Sequence, residues 1–491
     1  MNTYVSTRGG EERLNAAQAV IRGLSGNKGL FVPEVFPQLP VSIEEMQGMK
    51  YQDVAKIVIG TFFDDYTEEE IASCVERAYD SKFEAEDVVP VVEAGDACFL
   101  ELYHGRTAAF KDMALSILPH LLKTAVKKEG EDAKICILTA TSGDTGKAAL
   151  EGFADVEGTE IVVFFPEIGV SEVQRRQMTT QEGKNTHVFA IRGNFDDAQT
   201  GVKKIFNDEE MAARLAAKGV KLSSANSINI GRLVPQVAYY IYGYLKMVEM
   251  GKIAMGEKIN VVVPTGNFGN ILASYYACKL GLPVNRFLCA SNENKVLTDF
   301  INEGVYDTRR EFYVTNSPSM DILISSNLER LLYELSGGDA AEIRRLMAAL
   351  DSEKHYEVSG KIREGLAVFY GGFADVADTD AAIGRMYREN HYLLDTHTAV
   401  AYKVYEDYRE KTGDTTPALI ASTASPYKFA KSVATSIGLP EEKDDFAYVE
   451  ALEKATGVPV EKGLRGIDKK PILHDRVIDA CDMAAEVEAV L

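Results

Sequence analysis

Short runs of apolar residues recur along the chain from about residue 95, and helical patterns lie between most of them. Each run is nearly continuous, which is typical of strands that are buried on both faces of a sheet. We therefore predict strands at residues 134–139, 160–165, 187–191, 259–263, 286–290 and 417–421. Continuous apolar strands that alternate with helices indicate an α/β fold built on parallel sheets.

Two regions differ from this pattern. Residues 1–90 are mostly helical in pattern and are interrupted by the segment GNKGLFVPEVFPQLP at 26–40. Residues from about 320 to 385 read as a mainly helical insertion, with loops predicted at SGGD (336–339) and YGGFADVADTD (370–380). With 491 residues, the chain is too long for one hydrophobic core, so two or three domains are expected.

Composition and charge exclude several function classes. The chain carries 53 Lys and Arg against 74 Asp and Glu, a net charge of −21, which repels nucleic acid and anionic membrane surfaces. The first 15 residues contain no apolar signal-peptide core, and no run of about 18 apolar residues predicts a membrane span. The six scattered cysteines form no CxxC pair, which favours a reducing, cytoplasmic setting without structural zinc.

The segment HGRTAAFKDMA (104–114) places Lys111 at the start of a predicted amphipathic helix. A cation is poorly placed there, because the helix dipole is positive at the N-terminus. One interpretation is a solvated surface lysine. The other is a lysine that is kept uncharged and used as an amine.

A polar loop, TATSGDTGKAAL (139–150), joins a predicted strand to a predicted helix. It is not a nucleotide P-loop, because Gly143 and Gly146 are too close together and Lys147 is followed by alanine. A plain strand-to-helix turn remains possible, but it does not account for the polar side chains of Ser142, Asp144 and Thr145, which can face a ligand.

Two further loops follow predicted strands. In PTGNFGNILA (264–273) the glycines allow close approach of backbone to an anion at a helix N-terminus, so this loop is either a phosphate cup or a structural turn. In LIASTASPYKF (419–429) the hydroxyls of Ser422 and Thr423 end a strand, and Ser425 is placed to cap the following helix. A lysine amine, a phosphate cup and strand-end hydroxyls together indicate a pyridoxal phosphate (PLP) enzyme.

Over almost its whole length the chain resembles the threonine synthase family, in the longer type found in many bacteria and in yeasts. The motifs that carry the resemblance are YVSTRGG (4–10) with GLFVPE (29–34), HGRTAAFKDMA (104–114), TATSGDTGKAA (139–149), ANSINIGRLVPQ (225–236), PTGNFGNILA (264–273) and STASPYKF (422–429). The resemblance implies the fold type II PLP architecture: two parallel-sheet α/β domains with helices on both faces, and a mostly helical N-terminal region.

The resemblance also implies a role for each candidate residue. Lys111 forms the Schiff base with the cofactor, and Thr423, with Ser422 beside it, meets the pyridine nitrogen. Asp144 stands where related enzymes often place an Asn near the phenolic oxygen of the cofactor. The cofactor phosphate is implied to bind Gly266, Asn267, Phe268 and Asn270, and the substrate is implied to bind Ser142, Thr145, Asn226, Ser227 and Arg232.

Two positions depart from the family pattern. Ser425 stands where many relatives have histidine, and Arg106 stands where relatives often have proline or another residue. The first departure puts any role of that histidine in doubt. Neither affects Lys111 or the phosphate cup.

The implied reaction converts O-phospho-L-homoserine and water to L-threonine and phosphate. The implied domains are an N-terminal one at 1–90, a smaller α/β domain at 91–235 with Lys111, and a larger PLP-binding domain at 236–491. A monomer or homodimer is expected. The alternatives are a serine or threonine dehydratase, a cysteine synthase, or a non-catalytic small-molecule-binding protein. The NSINIGR segment and the STRGG start argue against the first two, and an intact Lys111 argues against the third.

Overall fold

The computed structural model describes residues 1–130, 133–141, 143–168 and 170–491. Its strands are β1 Tyr4–Ser6, β2 Phe31–Pro33, β3 Val91–Ala94, β4 Ala97–Glu101, β5 Lys134–Ala140, β6 Thr159–Pro166, β7 Thr186–Arg192, β8 Val220–Ser223, β9 Ile259–Pro264, β10 Val284–Ser291, β11 Val305–Asp307, β12 His355–Glu357, β13 Phe369–Phe373, β14 Ala418–Ser422 and β15 Val477–Asp479. All six strands predicted from the apolar runs are among them, as β5, β6, β7, β9, β10 and β14.

Helices connect most of these strands. They are α1 Ala16–Arg22, α2 Tyr51–Phe62, α3 Glu68–Ala78, α4 Asp112–Leu115, α5 Leu118–Lys128, α6 Asp144–Phe153, α7 Glu172–Thr179, α8 Phe195–Phe206, α9 Glu209–Ala217, α10 Ile230–Glu249, α11 Gly269–Lys279, α12 Val296–Glu303, α13 Leu328–Ser336, α14 Ala340–Glu353, α15 Gly360–Gly365, α16 Val376–Asn390, α17 Thr396–Thr412, α18 Ala430–Ser436, α19 Asp445–Thr456 and α20 Met483–Val490. Short 3₁₀ turns lie at Glu44–Met46, Pro318–Met320, Leu366–Val368, Pro426–Phe429, Ile467–Lys469 and Ala480–Asp482. Within the described ranges, no helix is long and apolar enough to cross a membrane.

Two sheets organise the chain. The larger has the strand order β13-β10-β9-β14-β4-β3, and the smaller has the order β15-β7-β6-β5-β8. Every neighbouring pair is parallel except β3 with β4, which form an antiparallel hairpin at one edge. The hairpin is possible because only Gly95 and Asp96 separate these two strands, and Gly95 takes a positive φ of 57°. The predicted parallel sheets are confirmed, with this one antiparallel edge added.

Both sheets are covered by helices on both faces. In the larger sheet, Val261 and Val263 of β9 join the hydrophobic cluster that contains α10 and α11, whereas Val262 between them joins the cluster that contains α17. In the smaller sheet, Ile137 and Leu138 of β5 likewise enter different clusters. Successive residues of a strand point to opposite faces, so burial of both faces explains why the runs are apolar throughout.

The sheets divide the chain differently from the predicted domain boundaries. Residues 91–101 were assigned to the smaller domain, but as β3 and β4 they belong to the larger sheet, where β4 pairs with β14. The boundary at 235 falls inside α10. Strand β15, close to the C-terminus, pairs with β7 in the smaller sheet. The predicted boundaries follow the order of residues along the chain, whereas these strands pair with partners that are distant in the sequence.

The region at 320–385 contains helices, as predicted, but also a strand in place of one predicted loop. Residues 369–373 form β13 and pair in parallel with β10. Gly371 and Gly372 suggested a loop, yet they serve close packing: an added Cβ would lie 2.7 Å from the Thr298 carbonyl oxygen or 2.6 Å from a Val404 methyl carbon. Glycines in a strand often mark such a close approach.

The N-terminal region contains helices α1, α2 and α3, but more than half of residues 1–90 lie outside helices, so it is less helical than predicted. It also contains the antiparallel pair β1 and β2, which the pattern did not predict. The first family motif fastens this region to α13. Thr7 donates a hydrogen bond of 2.6 Å to Glu329, and Arg8 forms a 2.8 Å ion pair with the same carboxylate. Arg330, fully buried, donates to the Phe31 carbonyl oxygen. The STRGG and GLFVPE segments therefore anchor the helical insertion to the N-terminal region.

Candidate active site

Lys111, Thr423 and the glycine-rich loop follow the carboxyl ends of three neighbouring strands of the larger sheet, β4, β14 and β9, whereas Asp144 and Arg232 follow β5 and β8 of the smaller sheet. Lys111 lies in the segment after β4, and Thr423 follows β14 directly. The two segments are joined by a 2.8 Å hydrogen bond from the Phe110 N–H to the Thr423 carbonyl oxygen and by a bridge between Ala109 and Ala424. In an open α/β sheet, the crevice beyond the carboxyl ends of the strands is the usual ligand site.

Lys111 is a partly enclosed amine whose side chain is 13% exposed. Its pKa falls from 10.5 to about 8, chiefly because burial disfavours the charged form; the nearby cations Lys428 and Arg232 lower it further, while Asp144 opposes them. Burial, which the sequence did not show, is therefore the main cause of the low pKa of Lys111. The helix after Lys111 is also shorter than predicted, since α4 ends at Leu115 and α5 begins at Leu118.

Asp144 lies between two lysines. One carboxylate oxygen is 2.7 Å from Nζ of Lys428 and accepts a 2.9 Å hydrogen bond from Gln174; the other is 3.9 Å from Nζ of Lys111. These partners hold the pKa of the carboxyl well below its usual range despite burial. Lys428 is fully buried and also donates to the Thr107 carbonyl oxygen at 2.9 Å. Lys428 belongs to the STASPYKF motif, but the sequence alone indicates no role for it.

The glycine-rich loop after β9 has the geometry of an anion cup. Phe268 takes a left-handed conformation with φ of 65°, and α11 begins at the next residue, so the first N–H groups of the helix face the loop without intrahelical partners. Gly266 packs so closely that an added Cβ would lie 2.6 Å from the Ser319 carbonyl oxygen. Asn270 is buried, and its Nδ2 has no hydrogen-bond partner in the described structure.

Residues of the insertion brace this cup. Ser325 donates to the Gly266 carbonyl oxygen, and Asn327 donates to the Asn267 carbonyl oxygen from both its backbone N–H, at 3.1 Å, and its side chain, at 3.2 Å. The Asn327 amide also lies 3.4 Å from the Ser227 hydroxyl. The segment with Ser227 therefore borders the cup, although about 40 residues separate the two along the chain. Nothing in the local sequence marks Asn327 as part of the site.

A second brace starts at the N-terminus of α17. His397 Nε2 accepts a 3.1 Å hydrogen bond from the Ser319 N–H, so the ring proton lies on Nδ1, which donates to Asp395 at 3.0 Å. Asp395 also accepts a hydrogen bond from the Thr398 hydroxyl, and that hydroxyl accepts the Thr423 N–H at 3.3 Å. This Asp–His–Thr network links the wall beside Gly266 to the end of β14.

The two strand-end hydroxyls differ. The Ser422 hydroxyl is 3.3 Å from the Thr398 hydroxyl, so it belongs to the brace. The Thr423 side chain forms no hydrogen bond to any described residue and stays available to a ligand. Ser425 caps the following 3₁₀ turn, as predicted, by accepting the Tyr427 N–H at 3.1 Å, and it donates to buried Glu461 at 2.8 Å. Burial raises the pKa of Glu461 to about 7.

Arg232 is a buried cation in the first turn of α10. One guanidinium nitrogen donates to the Ala225 carbonyl oxygen at 2.8 Å, while Nε has no partner in the described part of the molecule. No carboxylate of the described residues pairs with it, so Arg232 is not part of a surface salt bridge among these residues. Burial lowers its pKa to about 10. A buried, unpaired guanidinium is suited to bind an anion.

The other substrate candidates are less enclosed than Arg232. Asn226 is exposed and accepts the Ile228 N–H at 3.2 Å, and Ser227 is half-buried. Thr145, in the first turn of α6, is half-buried, and its hydroxyl forms no hydrogen bond to described residues. Ser142 lies outside the described residues.

These groups fit the chemistry of pyridoxal phosphate. A weakly basic primary amine suits the aldehyde, and the cup supplies helix N–H groups together with the unpaired amide of Asn270 for a phosphate. The Thr423 hydroxyl supplies a neutral partner for a ring nitrogen. Arg232, on α10, remains as a second group suited to bind an anion.

Three family models match the chain. They are described as threonine synthase N terminus, over residues 3–79, pyridoxal-phosphate dependent enzyme, over 94–423, and threonine synthase C-terminal, over 398–468. Together they include every motif on which the resemblance was based.

Known proteins agree with these models. Threonine synthase from Schizosaccharomyces pombe is 35% identical over 463 residues, 88% of each chain. The crystal structure of PLP-bound threonine synthase from Brucella melitensis is 34% identical with a TM-score of 0.88 and covers 100% of this chain and 99% of its own. Human threonine synthase-like 1 is 39% identical over 89% of this chain, which spans 61% of that longer protein. The chain belongs to the threonine synthase family of pyridoxal-phosphate dependent enzymes.

Proposed function

We propose that this protein is a threonine synthase that converts O-phospho-L-homoserine and water to L-threonine and phosphate with pyridoxal phosphate. The observation that carries the proposal is that one weakly basic lysine is accompanied by two groups suited to bind anions: the cup at residues 266–270, at the start of α11, and the guanidinium of Arg232 on α10, with which no carboxylate of the described residues pairs. A cofactor phosphate occupies only one of them. The other suits a substrate that carries its own phosphate.

The cofactor is held, in this proposal, by Lys111, by the cup with Asn270 and by the Thr423 hydroxyl. When bound, it supplies an electron sink that stabilises negative charge on the substrate carbon chain. Thr423 carries no charge, so it does not enforce protonation of the ring nitrogen as a carboxylate would. This restrains electron withdrawal and disfavours transamination.

Lys111 is the proton carrier. With a pKa of about 8, half of the amines are free near pH 8, which suits a general base at physiological pH. Its Nζ takes the proton from Cα and later moves protons at Cβ and Cγ. Its position between Asp144 and the end of β14 keeps it on one face of the reacting centre.

Arg232, with Asn226 and Ser227, holds the phosphate of the substrate and stabilises the charge that develops as phosphate leaves Cγ. Since no carboxylate among the described residues pairs with Arg232, its charge is available to the leaving group. Water then adds at Cβ to complete threonine. Ser142 and Thr145 are proposed to contact the substrate from the loop before α6.

The threonine synthase descriptions of the N-terminal and C-terminal family models favour this reaction over a dehydratase or a cysteine synthase. We also place the protein in the cytoplasm, as a monomer or homodimer, with no nucleic acid or membrane partner.

The test is phosphate release from O-phospho-L-homoserine by the PLP-loaded protein, with the amino-acid product identified by mass spectrometry. Stoichiometric phosphate and threonine are expected. L-serine, L-threonine and O-acetylserine with sulfide serve as competing substrates. Turnover of one of these in place of phosphohomoserine would overturn the proposal, as would 2-oxobutyrate as the main product.

A further inference from the structure

Asp144 creates a difficulty for a lysine that must act as a free amine. A buried carboxylate 3.9 Å from Nζ of Lys111 favours the ammonium form, which neither attacks an aldehyde nor accepts a proton. An arrangement with these two groups alone would keep the lysine charged. The structure contains a third group that changes this balance.

That group is Lys428. Its Nζ is closer to Asp144 than Lys111 is, at 2.7 Å against 3.9 Å, and its side chain is fully buried. We propose that Lys428 is a positioning residue that neutralises Asp144 and so leaves Lys111 in its free-amine form. The inference rests on the proposed use of Lys111 as the cofactor lysine, and it adds a second lysine that acts only through the first.

The charged groups that act on Lys111 come from four elements. Asp144 lies on α6 and Asp112 on α4, and both favour the ammonium; Lys428, on the 3₁₀ turn after β14, and Arg232, on α10, oppose it. The carboxylate of Asp112 is occupied by the N–H and hydroxyl of Thr107, at 2.8 and 2.5 Å. Asp144 is therefore the anion that decides the charge of Lys111, and Lys428 is the cation closest to it.

Lys428 also fixes the shape of the loop that carries Lys111. It donates to the Thr107 carbonyl oxygen at 2.9 Å, and Gln177 donates to the same oxygen at 3.2 Å. Thr107 lies four residues before Lys111 in the same loop. One ammonium group therefore ties this loop, the first turn of α6 and the end of β14 together.

The experiment measures the protonation of Lys111 directly, without turnover. The full-length protein, freed of cofactor, is labelled by reductive dimethylation across a pH series, and the labelling rate of Lys111 is read by peptide mass spectrometry. In the wild type we expect the half-maximal rate near pH 8. In Lys428→Met, Asp144 has only Lys111 to neutralise it, so the midpoint is expected to rise by about one pH unit or more, the effect of a charge within about 4–6 Å.

Two matched variants separate charge from packing. Lys428→Arg keeps the cation and should keep the wild-type midpoint. Asp144→Asn removes the anion and should lower the midpoint, a shift opposite to that of Lys428→Met. An unchanged midpoint in Lys428→Met, or shifts of the same sign in Lys428→Met and Asp144→Asn, would overturn the proposal. Because labelling needs no substrate, failure to convert phosphohomoserine leaves this result intact and counts only against the proposed function.

Discussion

Replacing Arg232 by methionine tests the second anion site. Methionine retains most of the aliphatic part of the side chain and removes the charge. If Arg232 binds the substrate phosphate, the variant loses a charged hydrogen bond worth roughly 1.5–3 kcal/mol, and kcat/KM for phosphohomoserine should fall about 10- to 150-fold. Cofactor affinity should not change, because the cup is formed by other residues.

The free energy of unfolding, in contrast to kcat/KM, should change little in Arg232→Met. Burial lowers the pKa of Arg232 from 12.5 to about 10, so the charged form is less stable in the folded than in the unfolded chain by roughly 3 kcal/mol. This cost is present in full below pH 10 and disappears only as the pH rises through 10 and above. Methionine removes the cost at pH 7, but it also removes the hydrogen bond to the Ala225 carbonyl oxygen, which costs roughly 1–3 kcal/mol. The two effects nearly cancel.

The assay compares kcat/KM, Tm and cofactor affinity on one preparation. Lys246→Met is the matched control, since it removes a cation from the same helix about 21 Å away along the axis. We expect wild-type kinetics in the control, and low kcat/KM with Tm changed by a few degrees at most in Arg232→Met. Wild-type kcat/KM in Arg232→Met would refute the reasoning. A large loss of Tm and cofactor would assign the residue to the fold instead.

Three further predictions concern the cofactor. Lys111→Ala should abolish turnover and borohydride trapping of the cofactor, and trapping at one other unique lysine would contradict the assignment. Thr423→Ala should weaken cofactor binding about 2- to 13-fold, from roughly 0.5–1.5 kcal/mol for one hydrogen bond, and by more than Ser422→Ala, which acts only through the brace; the reverse order would exchange their roles. His397→Gln, which keeps an acceptor near the Ser319 N–H, should bind the cofactor more tightly than His397→Asn in a fluorescence titration; equal affinities would argue against the brace.

Sequence patterns predicted those features that depend on a single strand or turn. The apolar runs identified β5, β6, β7, β9, β10 and β14, because a strand covered on both faces needs apolar side chains at every position. The sequence also predicted the glycine-rich loop before a helix and the capping role of Ser425, because both depend on backbone geometry within a few residues. The same local patterns did not predict β13. Its two glycines are required by the close packing of helices against the strand and not by a turn.

The amino-acid sequence was sufficient to predict the class of the fold and the family, and both predictions are confirmed. Its prediction of the lysine and loops of the site stays a prediction. The protonation states and charge pairs of the site depend on the tertiary structure. Lys111 and Lys428 are 317 residues apart along the chain. Nothing in the sequence around either lysine indicates that both lie beside the carboxylate of Asp144. Asn327 and His397 come from other distant segments to brace the cup. Burial and charge pairing depend on distances in space. These distances are set by the folding of the chain and cannot be read from the order of its residues.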